Sequence, residues 1–452
     1  MQNANIQITK IKTKTTNKTS RTKMTIYSLE YAQQLDNQDS LASMREQFAI
    51  PKQANGNDEY YFTGNSLGLQ PKLAREHVIE FLDAWQQRGV KGHFEGEFPW
   101  MPYHEFLTEQ AALLVGSEPE EVVMMNSLTP NLHFMMVSFY QPQGKRTKIL
   151  IEDHAFPSDH YAVESQLKHH QQNVDDNMLL WHPRTGEELL NHDDLYQLIE
   201  KHGDEIALVL LPGVQYYTGQ VLDMKTITAK AHAKGIKVGF DLAHAVGNIE
   251  LSLHDWQVDF ACWCSYKYLN AGAGSVAGCF VHHQHATNTT LNRFAGWWGH
   301  DKTTRFKMAN DFQAIPTAEG WQLSNPPVLS LAAIRGSFDV IKMAGGIKAL
   351  REKSLKLSQY MLDLLAQELT GKIRVITPTA ENERGCQLSL MIDKSAINEL
   401  GIDGKTLFNR IEAKGVTTDW REPNVIRVAP VPLYNSFSDI YHFVRILKEC
   451  LQ

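Results

Sequence analysis

Short apolar runs with the length of β-strands alternate with amphipathic helical patterns through the middle of this chain. The runs fall at residues 122–125, 149–151, 206–211, 236–240, 258–262 and 276–281, and helical patterns follow at 159–167 and 223–234. This alternation predicts an α/β fold with a largely parallel sheet covered by helices on both faces. Ligands bind outside the carboxyl ends of the strands in such folds, so we expect the residues that follow each strand to form the functional site.

The regions on either side of this pattern differ from it. Residues 71–89 read as a helix with Ala74, Val78, Leu82 and Trp85 on one face. Toward the end, helical patterns at 347–369, 405–413 and 437–450 are mixed with strand patterns at 373–376, 386–392 and 425–428. We therefore predict a basic disordered tail at 1–24, an N-terminal segment at 25–70 that packs with a small domain, a large domain at 71–335, and a small α+β C-terminal domain at 336–452.

Composition excludes several classes of protein. The net charge of −7 argues against a general nucleic-acid binder, and no apolar run reaches the roughly 20 residues of a membrane helix. The five cysteines lack the spacing of a disulfide framework, a zinc site or a redox dithiol, which favours a reducing, cytoplasmic location. VHHQH at 281–285 follows a strand without evident carboxylate partners, so we expect no metal site there. The acid-free first 23 residues lack a secretory apolar core, and a transit peptide, a disordered tail and an upstream start before Met24 all remain open.

An acid and an amine follow two apolar strands. Asp241 ends IKVGFD, and Lys267 comes after VDFACWCSY, before a glycine-rich stretch. The two strands place both groups at the same edge of the sheet. Pyridoxal phosphate needs such a pair, an amine for the Schiff base and a carboxylate that keeps the pyridine nitrogen protonated. By spacing alone, a buried Asp–Lys ion pair explains the pattern equally well.

Other residues after strands suit the same cofactor. NSLTPN at 126–131 lies between a strand and a helix start, where backbone amides and the Thr129 hydroxyl can bind phosphate, although a simple N-cap is the alternative. Phe156 can cover a ring face, Asp159 can cap the next helix or reach the cofactor, and Tyr217 lies in a turn after another strand.

Several sequence blocks resemble the kynureninase family, from about residue 60 to the C-terminus. They are GNSLGLQP, SLTPNLH, AFPSDHYAVESQL, DLAHAVGN, DFACWCSYKYLNAGAG, GWWGH, LSNPPVLS and IRVAPVPLYNSF. The resemblance implies a fold-type-I pyridoxal-phosphate transferase fold related to class-V aminotransferases. It implies a homodimer with shared active sites that binds neither nucleic acid nor membranes. The expected activity is the hydrolytic cleavage of the Cβ–Cγ bond of L-kynurenine or 3-hydroxy-L-kynurenine, in tryptophan catabolism or NAD biosynthesis.

The resemblance also implies roles for individual residues. Lys267 is the Schiff-base lysine and Tyr266 moves a proton at the cleaved bond, while Arg427 grips the substrate carboxylate. The implied cofactor contacts are Leu128, Thr129, Phe156, Asp159, Tyr217, Asp241, His244, Tyr266, Lys267, Asn325 and, from the partner subunit, Trp297. His93, Ser324 and Asn325 resemble the branch that prefers 3-hydroxykynurenine. Pro212 departs from the family pattern, because many members carry a Ser or Thr hydroxyl there.

Two competing functions remain. A cysteine desulfurase or selenocysteine lyase needs a reactive cysteine on a mobile loop, whereas Cys386 lies in an alternating strand pattern and Cys262 and Cys264 lie inside a strand. A scaffold without activity is disfavoured because the lysine, the aspartate and the arginine are all present.

Overall fold

The computed structural model describes residues 27–452, so the tail predicted at 1–24 lies outside the described residues. The strands are β1 Phe48–Ala49, β2 Tyr60–Tyr61, β3 Gln70–Pro71, β4 Val122–Met124, β5 Lys148–Glu152, β6 Met178–Trp181, β7 Ile206–Pro212, β8 Lys237–Asp241, β9 Phe260–Trp263, β10 Gly278–Val281, β11 Ile373–Val375, β12 Leu388–Ile392, β13 Val416–Thr417, β14 Asp419–Arg421 and β15 Val425–Val428. The α-helices are α1 Leu29–Gln38, α2 Lys72–Arg88, α3 Thr108–Val115, α4 Leu128–Phe139, α5 Pro157–His169, α6 Val174–Asn177, α7 His192–His202, α8 Met224–Ala233, α9 His283–Ala286, α10 Val328–Met343, α11 Gly346–Glu368, α12 Lys394–Leu400, α13 Gly404–Glu412 and α14 Phe437–Cys450.

A seven-stranded sheet with the order β4-β10-β9-β8-β7-β5-β6 forms the centre of the molecule. Strands β5 to β9 pair in parallel, and β10 is antiparallel to both of its neighbours, β4 and β9. Consequently β4 runs in the same direction as β9, and six carboxyl ends lie at one edge of the sheet. The predicted α/β fold with a mainly parallel sheet is confirmed. All six predicted strands are present, whereas β6 was not predicted.

The strands of this sheet are buried on both faces. In β4, Val122 and Met124 join the apolar cluster formed with α3, α7, α8 and α10, while Val123 joins the cluster formed with α4 and α5. Strands β5, β6, β7, β9 and β10 divide their apolar side chains between the same two clusters, and β8 contributes Val238 and Phe240 to the first. This double burial explains why these segments read as continuous apolar runs instead of alternating ones.

A second sheet lies in the C-terminal part of the chain. It is antiparallel with the order β11-β12-β15-β14, and its core includes residues of α1, α11, α13 and α14. The segment before residue 70 contacts both cores: Ala32 and Phe62 pack with the small sheet, whereas Leu41 and Phe48 pack with the large one. Strand β2 also pairs in parallel with β13. Within residues 27–452, no helix combines the length and apolarity required to cross a bilayer.

Half of the face predicted for the helix at 71–89 is wrong. The helix forms as α2, and Ala74 and Val78 contact the core as predicted, but Leu82 is 43% and Trp85 59% exposed. Leu73, Phe81 and Ala84 contact the core in their place. Packing against α10 decides the face, because the two helices cross so closely that a Cβ at Gly336 would lie 2.4 Å from the backbone nitrogen of Ala74. Apolar residues on two sides of a helix leave this choice to tertiary contacts.

The histidines of VHHQH do have carboxylate partners, contrary to the prediction. At the edge of the sheet opposite the carboxyl ends, the buried Asp259 lies 2.5 Å from His285 Nε2 and 2.8 Å from His232 Nε2. It also accepts from Lys237 Nζ at 3.1 Å and from the Val238 amide at 2.7 Å. The partners come from segments distant in sequence, so the local pattern could not reveal them.

A second buried carboxylate at this edge has histidine neighbours. Glu121 accepts hydrogen bonds from the amides of Glu118 and His283, and His254 Nδ1 lies 3.0 Å from both of its carboxylate oxygens. His282 Nδ1 lies 3.9 Å from Glu121. Glu121, His254 and His282 are thus close enough to share a metal ion, but their hydrogen bonds already account for the arrangement.

Replacing Asp259 by Asn should lower the free energy of unfolding by roughly 3–5 kcal/mol, because it breaks a buried ion pair and leaves its partners uncompensated. Burial raises the pKa of Asp259, but the hydrogen bonds from His232 and His285 and the charges of Lys237 and His232 together outweigh it, and the pKa lies below its ordinary value. A carboxyl group with a lowered folded-state pKa stabilises the fold above its unfolded-state pKa of about 3.9 and loses that contribution as the pH falls further.

Urea unfolding of wild type and Asp259→Asn across acidic pH measures both effects. The stability difference should shrink below about pH 4, where the unfolded-state carboxyl binds its proton. Asp255→Asn is the matched control, since Asp255 is exposed four residues earlier. A difference that grows toward low pH would contradict the assignment.

Candidate active site

Five strands deliver side chains to one cavity at the carboxyl edge of the large sheet. The cavity has a volume of about 210 Å³, and we call it the Lys267 cavity. Its lining residues follow β4 (Ser127, Leu128, Thr129, Pro130), end or follow β5 (Glu152, Phe156, Ser158, Asp159), end or follow β7 (Pro212, Val214, Tyr216), end or follow β8 (Asp241, Ala243, His244) and follow β9 (Tyr266, Lys267). The convergence matches the expectation that residues after strands form the site.

The amine of Lys267 faces a neutral imidazole. Lys267 Nζ lies 3.0 Å from His244 Nε2, and it lies 5.9 Å from the ring centroids of both Phe156 and Tyr266. Burial, together with the positive charge of Lys267, holds the pKa of His244 well below its ordinary value. His244 therefore carries no charge near neutral pH, and its buried Nδ1 has no hydrogen-bond partner among the described residues.

Two carboxyl groups lie together on another wall. Asp241 accepts from the Ala243 amide at 2.7 Å, and register places it opposite Pro212 of β7 and Cys262 of β9. Burial and the charge of Asp241 raise the pKa of Asp159 well above its ordinary value. Burial also raises the pKa of Asp241, but Lys267 and the Ala243 amide oppose it. Asp159 is thus the member of the pair that keeps a proton, and Asp241 is the one suited to bind a cationic group.

The remaining wall is the N-terminus of α4. Leu128 and Thr129 begin this 12-residue helix, and the side chain of its N-cap residue, Ser127, makes no capping hydrogen bond. The first amides of the helix therefore stay free to bind an anion, supported by the positive end of the helix dipole.

The loop that carries Lys267 is braced by the segment GNSLGLQP. The Gly68 amide donates to the Tyr266 carbonyl at 2.8 Å. A Cβ on Gly68 would lie 2.4 Å from the Lys267 carbonyl oxygen and 2.2 Å from Asn270 Oδ1. Only glycine allows this close approach, so the segment holds the backbone of the lysine in place.

Arg427 and Tyr217 lie next to the cavity without lining it. The guanidinium of Arg427 is buried, forms a two-point ion pair with Asp419 and donates to the Tyr216 carbonyl at 2.7 Å. Tyr217 lines a neighbouring cavity of about 270 Å³, which we call the second cavity, and Tyr216 lines both cavities.

Trp297, His93, Ser324 and Asn325 are not part of the Lys267 cavity within one chain. Trp297 is 43% exposed and donates from Nε1 to the Arg305 carbonyl at 3.2 Å. His93 packs edge-on against Trp100 beside the chain at 326–330, and Ser324 and Asn325 are exposed just before α10.

Among the lining residues that were not predicted, Glu152 and Tyr216 carry ionisable side chains. Glu152 occupies the last position of β5, as Asp241 does in β8, so the rule applied to Asp241 could have found it. Tyr216 stands beside Tyr217 in the turn, and its ring packs edge-on against Phe156 with centroids 5.2 Å apart. Sequence alone could not choose between the two tyrosines.

No exposed cysteine is found among the described residues. All five cysteines are buried, and burial raises the pKa of Cys386 to about 12. A thiolate nucleophile is therefore not available at the Lys267 cavity.

The residues of the cavity fit pyridoxal phosphate. The walls of the cavity present an amine, a buried carboxylate, the free amides of a helix start and an aromatic ring. The cofactor requires these groups for its aldehyde, its pyridine nitrogen, its phosphate and its ring, in that order. The fold and this set of groups define a pyridoxal-phosphate-dependent enzyme of fold type I.

Comparisons with known proteins narrow this class. Residues 350–447 match the family model described as the kynureninase C-terminal domain. A kynureninase of Flavobacterium psychrophilum is 49% identical to the chain, and the match covers 93% of the chain and 98% of that relative. A kynureninase of Myxococcus xanthus is 50% identical, and the match covers 93% of the chain and 97% of that relative. The chain belongs to the kynureninase family.

Solved structures share the fold at low identity. A cysteine desulfurase from Thermococcus onnurineus aligns with a TM-score of 0.71 at 15% identity, covering 90% of this chain and 97% of that one. A C-DES variant with glycine covalently linked to its PLP cofactor aligns with a TM-score of 0.69 at 15% identity, covering 90% and 99%.

Proposed function

We propose that this chain carries out the reaction of its family in the Lys267 cavity. That reaction is the hydrolytic cleavage of the Cβ–Cγ bond of L-kynurenine or 3-hydroxy-L-kynurenine, which releases anthranilate or 3-hydroxyanthranilate and L-alanine. The observation that carries the proposal is the placement of the Lys267 amine and the Asp241 carboxylate on two walls of one cavity whose third wall is a free helix N-terminus.

Each part of the cofactor would be held by a different wall of the cavity. Lys267 would hold the aldehyde, Asp241 the pyridine nitrogen, and the start of α4 at Leu128 and Thr129 the phosphate, while Phe156 would lie beside the ring. When bound, pyridoxal phosphate accepts the electrons that are released as bonds at the substrate α- and β-carbons break.

Lys267 and His244 manage the proton at the substrate α-carbon. When it is not bonded to the cofactor, Lys267 Nζ would be the base that removes this proton. The imidazole 3.0 Å away accepts a hydrogen bond from the lysine without adding a second positive charge, because burial keeps His244 neutral. The pair can therefore hold and return one proton inside the cavity.

Tyr266 supplies a proton at the cleaved bond. Burial, with a smaller contribution from the neighbouring Cys264, raises the pKa of its hydroxyl above the ordinary value. The phenol therefore keeps its proton at neutral pH, as a general acid requires before cleavage.

Arg427 is the proposed anchor for the substrate carboxylate. Three of its N–H groups are used by Asp419 and the Tyr216 carbonyl, which leaves donors of the guanidinium for a ligand. Its charge also contributes to the lowered pKa of His244, so the two groups lie within electrostatic range. A guanidinium held rigidly in this way is pre-organised for two-point binding of a carboxylate.

Lys267→Ala should abolish formation of alanine and anthranilate and should remove the visible absorbance of the cofactor-bound lysine, because no other amine lines the cavity among the described residues. Product formation and absorbance are measured with the same purified protein. The matched control, Lys225→Ala, removes an exposed lysine and should change neither readout. An active Lys267→Ala variant would remove the basis of the proposal.

We further propose that the enzyme is a homodimer with shared active sites. Trp297 and Phe306 are 43% and 54% exposed, and their rings pack edge-on with centroids 5.5 Å apart. Exposed aromatic side chains that contact each other are typical of protein interfaces. The family resemblance implies that Trp297 would reach the phosphate of the cofactor in the partner subunit.

Mixing two defective chains tests the shared site. Lys267→Ala and Trp297→Ala should each lose activity, but dimers assembled from both should recover roughly a quarter of wild-type activity, since half of the random dimers contain one intact site of two. Activity and cofactor binding of the co-expressed chains are compared with each variant alone. If sedimentation shows dimers but no activity is recovered, Trp297 contributes to the active site of its own subunit.

The preferred substrate is proposed to be 3-hydroxykynurenine. Asn325 and His93 lie outside the cavity of their own chain, so they would contact the substrate across the proposed dimer. Asn325 is exposed and can donate its amide to a ring hydroxyl, and His93, beside Trp100, can stack on an aromatic ring. A hydrogen bond to the hydroxyl is formed only by the hydroxylated substrate, which gives discrimination.

Wild-type kcat/KM should be higher for 3-hydroxykynurenine than for kynurenine, and Asn325→Ala should reduce the ratio about fivefold, as expected for the loss of one neutral hydrogen bond. Kynurenine serves as the internal control, because its kcat/KM should stay nearly constant. A wild-type preference for kynurenine would refute the assignment.

A further inference from the structure

Glu152 is a buried carboxyl group that the proposed reaction does not use. It ends β5, its side chain is almost fully buried, and it lines both the Lys267 cavity and the second cavity. Its Oε2 atom is buried without a hydrogen-bond partner among the described residues. A buried polar atom left in this way costs free energy, so its retention calls for an explanation.

A carboxylate with a purely structural role looks different in this protein. Glu121 is equally buried, but both of its oxygens accept hydrogen bonds, from the His283 amide on one side and the Glu118 amide on the other. His254 adds a further polar contact to both oxygens. Glu152 has no such set, and it points to a cavity instead of to a helix start.

The surroundings of Glu152 favour its neutral form. Burial raises its pKa to about 8, with smaller contributions from Asp241 and Asp153, while a hydrogen bond from Gln215 opposes them. Glu152 in turn raises the pKa of Asp159. The titratable groups that face Glu152 come from both cavities and from its own strand end. They are Asp153, Asp159, Tyr216, Asp241, His244, Tyr266 and Lys267, together with His154, Glu187, Glu188, Tyr217 and Glu422 of the second cavity.

The second cavity connects the carboxyl group of Glu152, and the proton that it holds, to solvent. Besides Glu152 and Tyr216, its lining includes the exposed residues His154, Glu187 and Glu422. Glu152 forms part of the wall between this surface cavity and the Lys267 cavity. A group in that position can exchange protons with solvent although it is buried.

We propose that Glu152 is a positioning residue that acts through Asp159 and Asp241: it holds a proton exchanged through the second cavity, so that Asp241 alone carries negative charge at the pyridine end of the Lys267 cavity. This inference rests on the proposed function for the identity of the cofactor. The neutral carboxyl leaves one carboxylate to pair with one protonated pyridine nitrogen. Ionised Glu152 adds a second negative charge near Asp241, so two carboxylates then face one protonated nitrogen and the charge balance at this end of the cavity changes.

Glu152→Gln tests the inference, because it keeps the shape and removes the titration. The holoenzyme of the wild type should show a transition near pH 8 in both its visible absorbance and its kcat/KM. Below the pH of this transition, the absorbance and kcat/KM of Glu152→Gln should equal those of the wild type. Above it, the values of Glu152→Gln should stay unchanged while those of the wild type change. Glu152→Asp keeps a carboxyl group and should retain a transition at a shifted pH. Glu187→Gln is the matched control, since it removes an exposed carboxylate from the second cavity and should leave the wild-type transition in place.

Infrared difference spectra of wild type minus Glu152→Gln give a readout that needs no turnover. A protonated-carboxyl band that disappears between neutral and alkaline pH is expected, whereas an ionised carboxylate throughout this range overturns the inference. Superimposable pH profiles of wild type and Glu152→Gln also overturn it. A wild type that releases neither anthranilate nor alanine contradicts the proposed function instead, and the infrared band then still decides the protonation of Glu152.

Discussion

The parallel register of β8 and β9 is the constraint on which the rest of the site depends. Asp241 ends β8 opposite Cys262 of β9, so the chain that leaves β9 brings Lys267 back to the same edge, beside the cavity that Asp241 lines. The strands that set this register are buried on both faces by two apolar clusters. A shift by one residue would turn every side chain to the opposite face, so the burial of the sheet also holds the amine and the carboxylate in place.

The charge balance of the Lys267 cavity follows from this burial. Three carboxyl groups, Glu152, Asp159 and Asp241, share the cavity with one amine and a neutral histidine. Low solvation makes more than one negative charge costly, so protons stay on Asp159 and Glu152 and the remaining charge falls on Asp241. At the opposite edge of the sheet, the cost of burying a negative charge is offset in another way. There Asp259 stays charged because it bonds to His232 and Lys237.

Some features of the chain were accessible to pattern reasoning and others were not. The strands of the large sheet other than β6 could be predicted because burial on both faces gives continuous apolar runs, and helices with a single apolar face could be predicted from their local period. The buried face of α2 could not, because its apolar residues occupy two sides and the close crossing at Gly336 selects one of them. The partners of His282 and His285 escaped for a related reason: Glu121 and Asp259 reach them only through the folded sheet.

The sequence by itself determined the α/β class, the family and the candidate positions of Lys267, Asp241 and the helix start at Leu128, because each depends on a local run of residues or on a specific motif. Only the tertiary structure decided that Glu152 and Tyr216 line the cavity, that Arg427 is paired with Asp419, and that Trp297 and Asn325 stand apart from the cavity of their own chain. Protonation belongs to the second group as well. The charge of a carboxyl or an imidazole depends on its solvation and on neighbours brought together from distant segments, and neither is encoded in the residues beside it.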